Sequence, residues 1–166
     1  MSDDLRDLYQ EVILDHHRRP RNNRHLPEAN ADAEGHNPLC GDRLKVYVRR
    51  EGDRLADVCF EGLGCAICIA SASMMTEHVK GRQAADVERL TDAFHRMVTD
   101  QADSKPTDAV GGKNVGQARP LNEDDLGKLK ILAGVRQYPM RVKCATLAWH
   151  TLRAALRGQG EPVSTE

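Results

Sequence analysis

The tightest constraint on the fold lies between residues 44 and 60. Leu44, Val46 and Val48 alternate with Lys45, Tyr47 and Arg49, and after Glu51-Gly52-Asp53 a second alternation sets Ala56, Val58 and Phe60 on one side. Successive side chains of a strand point to opposite faces, so the pattern predicts an antiparallel hairpin with one buried face. Such a hairpin needs helices against its apolar side.

The flanking chain supplies them. Leu5, Leu8, Tyr9, Val12 and Ile13 recur at helical spacing behind a Ser2 or Asp3 cap, predicting a helix over 3–17 that Pro20 stops. Residues 18–38 read as an irregular connection with one short strand before Pro38. An Ala- and Ser-rich stretch after Cys65 runs to Lys80 with Gly81 as its C′ residue. Val87, Leu90, Phe94 and Met97 define a helix over 84–101. Residues 102–121 turn to Gly, Pro, Asp, Lys and Ala without pattern, which predicts a long loop, functional or mobile rather than core. A short helix begins at Asn122, with Glu123, Asp124 and Asp125 in its first turn, and is expected to end at Gly134. Pro139 then suits the first position of a last helix whose stripe is Ala145, Ala148, Trp149, Leu152 and Leu156. Trp149 and the pair Met74-Met75 read as core. The sum is one α+β domain over 1–166, a small three-stranded antiparallel sheet with helices packed on it.

With 166 residues the chain can bury an adequate core without a metal or disulfide. Its 24 basic and 25 acidic residues nearly cancel, so neither nucleic acid nor an acidic membrane surface is expected as a partner. The start, Met1-Ser2-Asp3-Asp4, has no basic region followed by an apolar one, and charges interrupt every hydrophobic run. A soluble, cytoplasmic protein is expected. In a reducing compartment its five cysteines are candidates for burial, metal binding or catalysis rather than a disulfide framework.

Cys40-Gly41-Asp42 places a thiol and a carboxylate two residues apart across a glycine that permits a tight turn. Cys65 lies in the glycine-rich exit of the hairpin, and Cys144 falls within the first two turns of the last helix. Any one cysteine reads equally well as a small buried hydrophobe. Three at the ends of elements can converge, and three thiolates with one carboxylate suit tetrahedral Zn²⁺ or the edge of an iron–sulfur cluster. Four such ligands leave a net −2 around Zn²⁺, for which Arg43, Arg141 and Lys143 are candidate counter-charges.

These stretches carry a family likeness. Tyr9, Val12-Ile13-Leu14-Asp15-His16, Pro20-Arg21-Asn22, Asn37-Pro38-Leu39-Cys40-Gly41-Asp42, Gly62-Leu63-Gly64-Cys65-Ala66-Ile67, Ala70-Ser71-Ala72-Ser73 and the run from Arg141 to Trp149 resemble the U-type iron–sulfur assembly proteins, specifically their SufU branch. The resemblance implies a SufE/IscU-like fold and zinc held by Cys40, Asp42, Cys65 and Cys144. It also implies that Cys40 accepts persulfide sulfur from a SufS-type cysteine desulfurase, a histidine of that enzyme replacing Cys40 on the metal, and that the sulfur goes on to downstream Suf scaffold proteins. In the IscU branch a histidine precedes the third cysteine, where this chain has Lys143, and the span from Cys65 to Cys144 is longer here, so the likeness makes residues 102–121 a mobile insertion. Sulfur transfer is therefore favoured over the alternative, a scaffold on which iron and a transient [2Fe–2S] cluster assemble.

Three further features are read more plainly. Cys65-Ala66-Ile67-Cys68 has the spacing of a redox pair, but with no second such pair and no βαβ pattern Cys68 is taken as a packed or spare cysteine. Cys59 alternates away from Val58 and Phe60 and is expected on the surface. His16, His17, Arg18, Arg19, Arg21, Arg24 and His25 read as a solvated or partner-facing basic cluster.

Overall fold

The alternation over 44–60 forms β2 (Asp42–Glu51) and β3 (Arg54–Leu63), which turn through Gly52 at φ +62°. In a computed structural model describing residues 3–38, 40–99, 123–158 and 163–164, Val46 pairs with Phe60 and Val48 with Val58. All four are fully buried. A bulge follows: Arg49 pairs with Asp57 but Arg50 with Leu55, so Ala56 is the extra residue. Leu55, not the expected Ala56, takes the core position.

The short strand expected before Pro38 is β1 (Ala31–Asn37), antiparallel to β2 from Ala31–Val48 to Asn37–Asp42. The three-stranded sheet gains a two-residue parallel strand, β4 (Val163–Ser164), on the outer edge of β1. The anticipated insertion over 102–121 lies outside the described residues.

The helices are α1 (Asp3–Arg18), α2 (Ala66–Val79), α3 (Ala84–Val98) and α4 (Pro139–Arg157). Helix α4 lies across β1 and β2, α2 packs beside it against β3, α1 rests on α2, and α3 on α4. Phe94 stacks on Trp149 with ring centroids 4.6 Å apart, and the Trp149 indole N–H donates to Ser71. Burying a side chain of this size contributes about 1.5–3 kcal/mol. No helix among the described residues is long and apolar enough to cross a membrane.

The segment expected to end at Gly134 runs on as a 3₁₀-type helix over Glu123–Gln137, broken at Gly127 with φ +55°. Its periodicity explains this. Leu126, Leu129, Leu132 and Val135 recur every third residue and are all buried. A helix of three residues per turn sets them on one face, whereas an α-helix would splay them.

Two surface expectations are corrected. Cys59 does face away from the helices, paired with Tyr47, yet it is fully buried because Leu26 and Ala29 fold over that side of the sheet. Arg24 and Lys80 both pair with Asp57, and the Phe60 N–H bonds the Asn22 carbonyl, fixing the covering segment. In the basic cluster, His16 is only 6% exposed, with Nδ1 2.7 Å from Ser73 Oγ, so it anchors α1 to α2. Arg21 pairs with Asp15.

Two predictions follow from this packing. A Cβ on Gly35 would lie 2.0 Å from Thr151 Oγ1, so β1 and α4 approach as closely as they do only because residue 35 is glycine. Gly35→Ala should cost about 1–3 kcal/mol in urea unfolding, typical of overpacking. Thr151→Ala in the same chain should recover part of the loss.

The second prediction concerns pH. Burial, then His95 and Arg153, lower the His150 pKa from 6.5 to about 4. The unfolded chain therefore binds more protons between those values. Stability from the neutral imidazole is complete above pH 6.5 and drains away as pH falls towards 4, by at most about 3 kcal/mol. Chemical denaturation at pH 7, 5.5 and 4 should show the wild type losing more than His150→Leu.

Candidate metal centre

The site is assembled where β1 turns into β2. The Asn37 carbonyl accepts the N–H groups of Cys40 (3.2 Å) and Gly41 (2.9 Å), and Gly41 takes φ +71°, a left-handed conformation that glycine adopts freely. The turn leaves Cys40 half-buried and delivers Asp42 to the helix side of the sheet, fully buried.

Asp42 connects the next segment. Its Oδ1 accepts the Cys65 N–H at 3.0 Å, joining the start of β2 to the turn between β3 and α2. That approach depends on Gly64, where a Cβ would sit 2.9 Å from Asp42 Oδ1 and 3.0 Å from Cys68 Sγ. Cys65 caps α2, its sulfur accepting the Cys68 N–H at 3.4 Å. Cys144, in the second turn of α4, is fully buried, with its sulfur 3.6 Å from Cys40 Sγ and 3.9 Å from Asn37 Nδ2.

Ligand atoms of Cys40, Asp42 and Cys144 thus lie within 4.8 Å of one another, and no other group of three or more such residues meets that spacing among the described residues. Thiolates 2.3 Å from a tetrahedral ion would be roughly 3.8 Å apart, close to the Cys40–Cys144 separation. Cys65 stands outside this mutual set but is tied to it through the bond from its N–H to Asp42 Oδ1. Three of the four residues singled out in the sequence therefore converge, and the fourth flanks them.

The second oxygen of Asp42 is the most telling atom. Oδ2 is buried and has no hydrogen-bond partner. An unsatisfied buried charge costs several kcal/mol, so an unpaired oxygen on a carboxylate clustered with thiols is a poor element of a metal-free core and a good ligand. The donor set of thiols and one carboxylate fits zinc.

The thiols share protons unequally. Interaction with the Cys144 thiol, helped by the Cys68 N–H, holds Cys65 well below the ordinary thiol range, and interaction with Cys65, with burial, pushes Cys144 up. Negative charge on Cys65 tightens the Arg141 guanidinium's hold on its proton. Arg141 fulfils its expected counter-charge position, whereas Arg43 lines a groove on the opposite face of the sheet with Lys45 and Tyr47.

Cys68 is fully buried in the main core, and burial, then Asp42, raise its pKa, in keeping with a packed cysteine. Sequence reasoning gave Asn37 no role, although it both shapes the turn and contacts Cys144. Its place just before Pro38, in the run leading to Cys40, was the available signal. Also unforeseen were the exposed apolar side chains Leu63, Tyr138 and Met140, close in sequence to Cys65 and Cys144.

Opposite effects are expected of Asp42→Asn. It removes an unpaired buried charge and should stabilise the metal-free protein, yet it should weaken Zn²⁺ binding at least tenfold, about 1.4 kcal/mol. In the wild type, free Zn²⁺ at about 100 times Kd should add about 2.7 kcal/mol to unfolding stability. Thermal melts with and without chelator check both.

Comparison with known proteins places this geometry. The NifU-like N terminal domain family matches residues 8–145. The chain is 36% identical over 153 residues to the iron–sulfur cluster assembly scaffold protein IscU of Streptococcus pyogenes serotype M1, covering 92% of this chain and 85% of that one. It is 37% identical over 148 residues to the zinc-dependent sulfurtransferase SufU of Bacillus subtilis strain 168, covering 89% and 88%. A crystal structure of a nitrogen-fixing NifU-like protein (N-terminal) from Brucella abortus superposes with a TM-score of 0.73 at 25% identity, covering 91% of this chain and 93% of the other.

Proposed function

This chain belongs to the NifU-like N-terminal domain family, and we propose that within it the protein is a zinc-dependent sulfurtransferase for iron–sulfur cluster assembly. In this reading Cys40, Asp42, Cys65 and Cys144 hold Zn²⁺ at rest, and Cys40 accepts persulfide sulfur from a SufS-type cysteine desulfurase. The sulfur then passes to downstream Suf scaffold proteins.

The observation that carries the proposal is Asp42, buried with its Oδ2 unpartnered and with a carboxylate oxygen within 4.8 Å of the sulfurs of Cys40 and Cys144. Bound zinc would supply one kind of chemistry, holding thiols as thiolates at neutral pH while shielding them from oxidation. The protein's own residues do the rest. Asp42 and Cys65 are tied to each other through the Cys65 N–H, and Cys144 is locked in α4, so three ligands are fixed by secondary structure. Cys40 sits on a turn and is half-buried, which makes it the ligand most easily exchanged when a partner docks. Its thiolate is the form that attacks a donor persulfide. Arg141, exposed at the rim, offsets the negative charge that sulfur transfer brings to the site.

Lys143 supports this reading over a scaffold, since it occupies the position of the histidine ligand in the IscU branch. The scaffold reading keeps support from relatives that bear that name at comparable identity, including the Streptococcus protein. In that case iron and a [2Fe–2S] cluster would be cargo on the same four residues.

A desulfurase assay separates the two. Cys40→Ala should retain substantial zinc affinity by metal analysis yet abolish stimulation of the desulfurase; unchanged stimulation would refute the acceptor assignment. A brown cluster that forms on the protein and moves to an apo acceptor, without desulfurase stimulation, would favour the scaffold.

A further inference from the structure

Two of the clustered sulfurs touch. Cys40 Sγ and Cys144 Sγ are 3.6 Å apart, near van der Waals contact and only about 1.6 Å beyond a disulfide bond. They come from positions 104 residues apart, one on the turn after β1 and the other inside α4, so the contact is a product of the tertiary fold. Their exposure differs: Cys40 is half-buried and Cys144 is inaccessible. An external donor therefore reaches Cys40 first. A sulfur atom placed on Cys40 leaves the sheltered Cys144 Sγ 3.6 Å from Cys40 Sγ, within reach of attack on the new S–S bond. Displacement at sulfur runs in line, with the nucleophile entering opposite the leaving group.

We infer that Cys144 is the resolving thiol of a Cys40 persulfide, attacking Cys40 Sγ to form a Cys40–Cys144 disulfide and expel the added sulfur as hydrosulfide. The inference rests on the proposed persulfide at Cys40. The bond formed is Sγ–Sγ, and the bond broken joins Cys40 Sγ to the sulfane sulfur. The two cysteines are oxidised and the sulfane sulfur is reduced by two electrons to the level of sulfide, which is the level an iron–sulfur cluster contains. Cys144 attacks as a thiolate, the form in which zinc would hold it, and the persulfide's own proton leaves with the hydrosulfide. A dithiol reductant resets the pair. Cys65 is less suited to the attack, because it lies outside the mutual 4.8 Å set and its sulfur already accepts the Cys68 N–H. Cys59 is excluded, being on the other face of the sheet.

The disulfide would remove two thiolates from the metal centre, so zinc held there leaves in the same step. This gives readouts independent of desulfurase activity. Zinc-loaded protein is charged with desulfurase and cysteine, desalted free of small thiols, and incubated. Sulfide and free zinc are followed colorimetrically, and alkylated, unreduced digests are mapped by mass spectrometry.

The expected result is release of one sulfide and one zinc per Cys40–Cys144 disulfide. Release should slow at least tenfold in Cys144→Ser, with the Cys40 persulfide persisting, while Cys59→Ala behaves as wild type. Near-ultraviolet circular dichroism of Trp149 checks that Cys144→Ser is folded, and the wild-type disulfide map stands without any variant. A Cys40 persulfide that persists in the wild type, or a disulfide to Cys65 instead, overturns the inference and leaves the sulfurtransferase reading intact. No sulfur on Cys40 at all overturns both.

Discussion

A buried carboxylate governs this structure. Asp42 stands at the first position of β2, with one oxygen anchoring the turn into α2 and the other buried without a hydrogen-bond donor. Burying such a group is expensive, and the surroundings are built so that the cost falls at one point. The Asn37 carbonyl holds the turn before it, Gly64 lets the next turn approach, and Cys144 closes the site from α4. Each element contributes one donor atom, and only tertiary packing brings them to a common centre.

The position of Cys144 shows how packing far from the thiols sets their geometry. Helix α4 touches β1 through Gly35 and Thr151, two turns beyond Cys144, and meets α2 through Ser71, whose hydroxyl donates to the Ala145 carbonyl. These contacts fix the helix in both translation and rotation relative to the sheet. Its buried cysteine then lies behind the half-buried Cys40, an arrangement of one reachable and one sheltered sulfur.

Much of this was legible in the sequence, because the relevant signals are periodic or local. Strand alternation revealed the hairpin, Gly81 and Pro139 marked helix boundaries, and three cysteines at element ends pointed to a common site. What escaped depended on partners distant in sequence. Ala56 was assigned to the core because a bulge cannot be seen in a period-two pattern, and Leu55 has its place. Cys59 and His16 were assigned to the surface because nothing local announces that Leu26 covers one and Ser73 receives the other. The three-residue spacing of Leu126, Leu129 and Leu132 was visible but went unused, since α-helical periodicity was assumed. Asn37 was quoted within a motif without a role, for its value lies in a carbonyl and an amide that act only in the folded turn.

The covering of both faces of the hairpin has a bearing on fidelity. Val46, Val58 and Phe60 are committed to the helix side, while Tyr47 and Cys59 are committed beneath Leu26 on the other. A sheet polar on one side could tolerate a slipped alignment, but here a shift of β2 by one residue would misplace apolar groups twice over. The same shift would turn Asp42 outward and swing Arg43 in among the thiols, replacing an anion by a cation where a metal must sit. Correct strand alignment is thus an electrostatic condition on the centre, enforced by hydrophobic contacts on the far surface of the sheet.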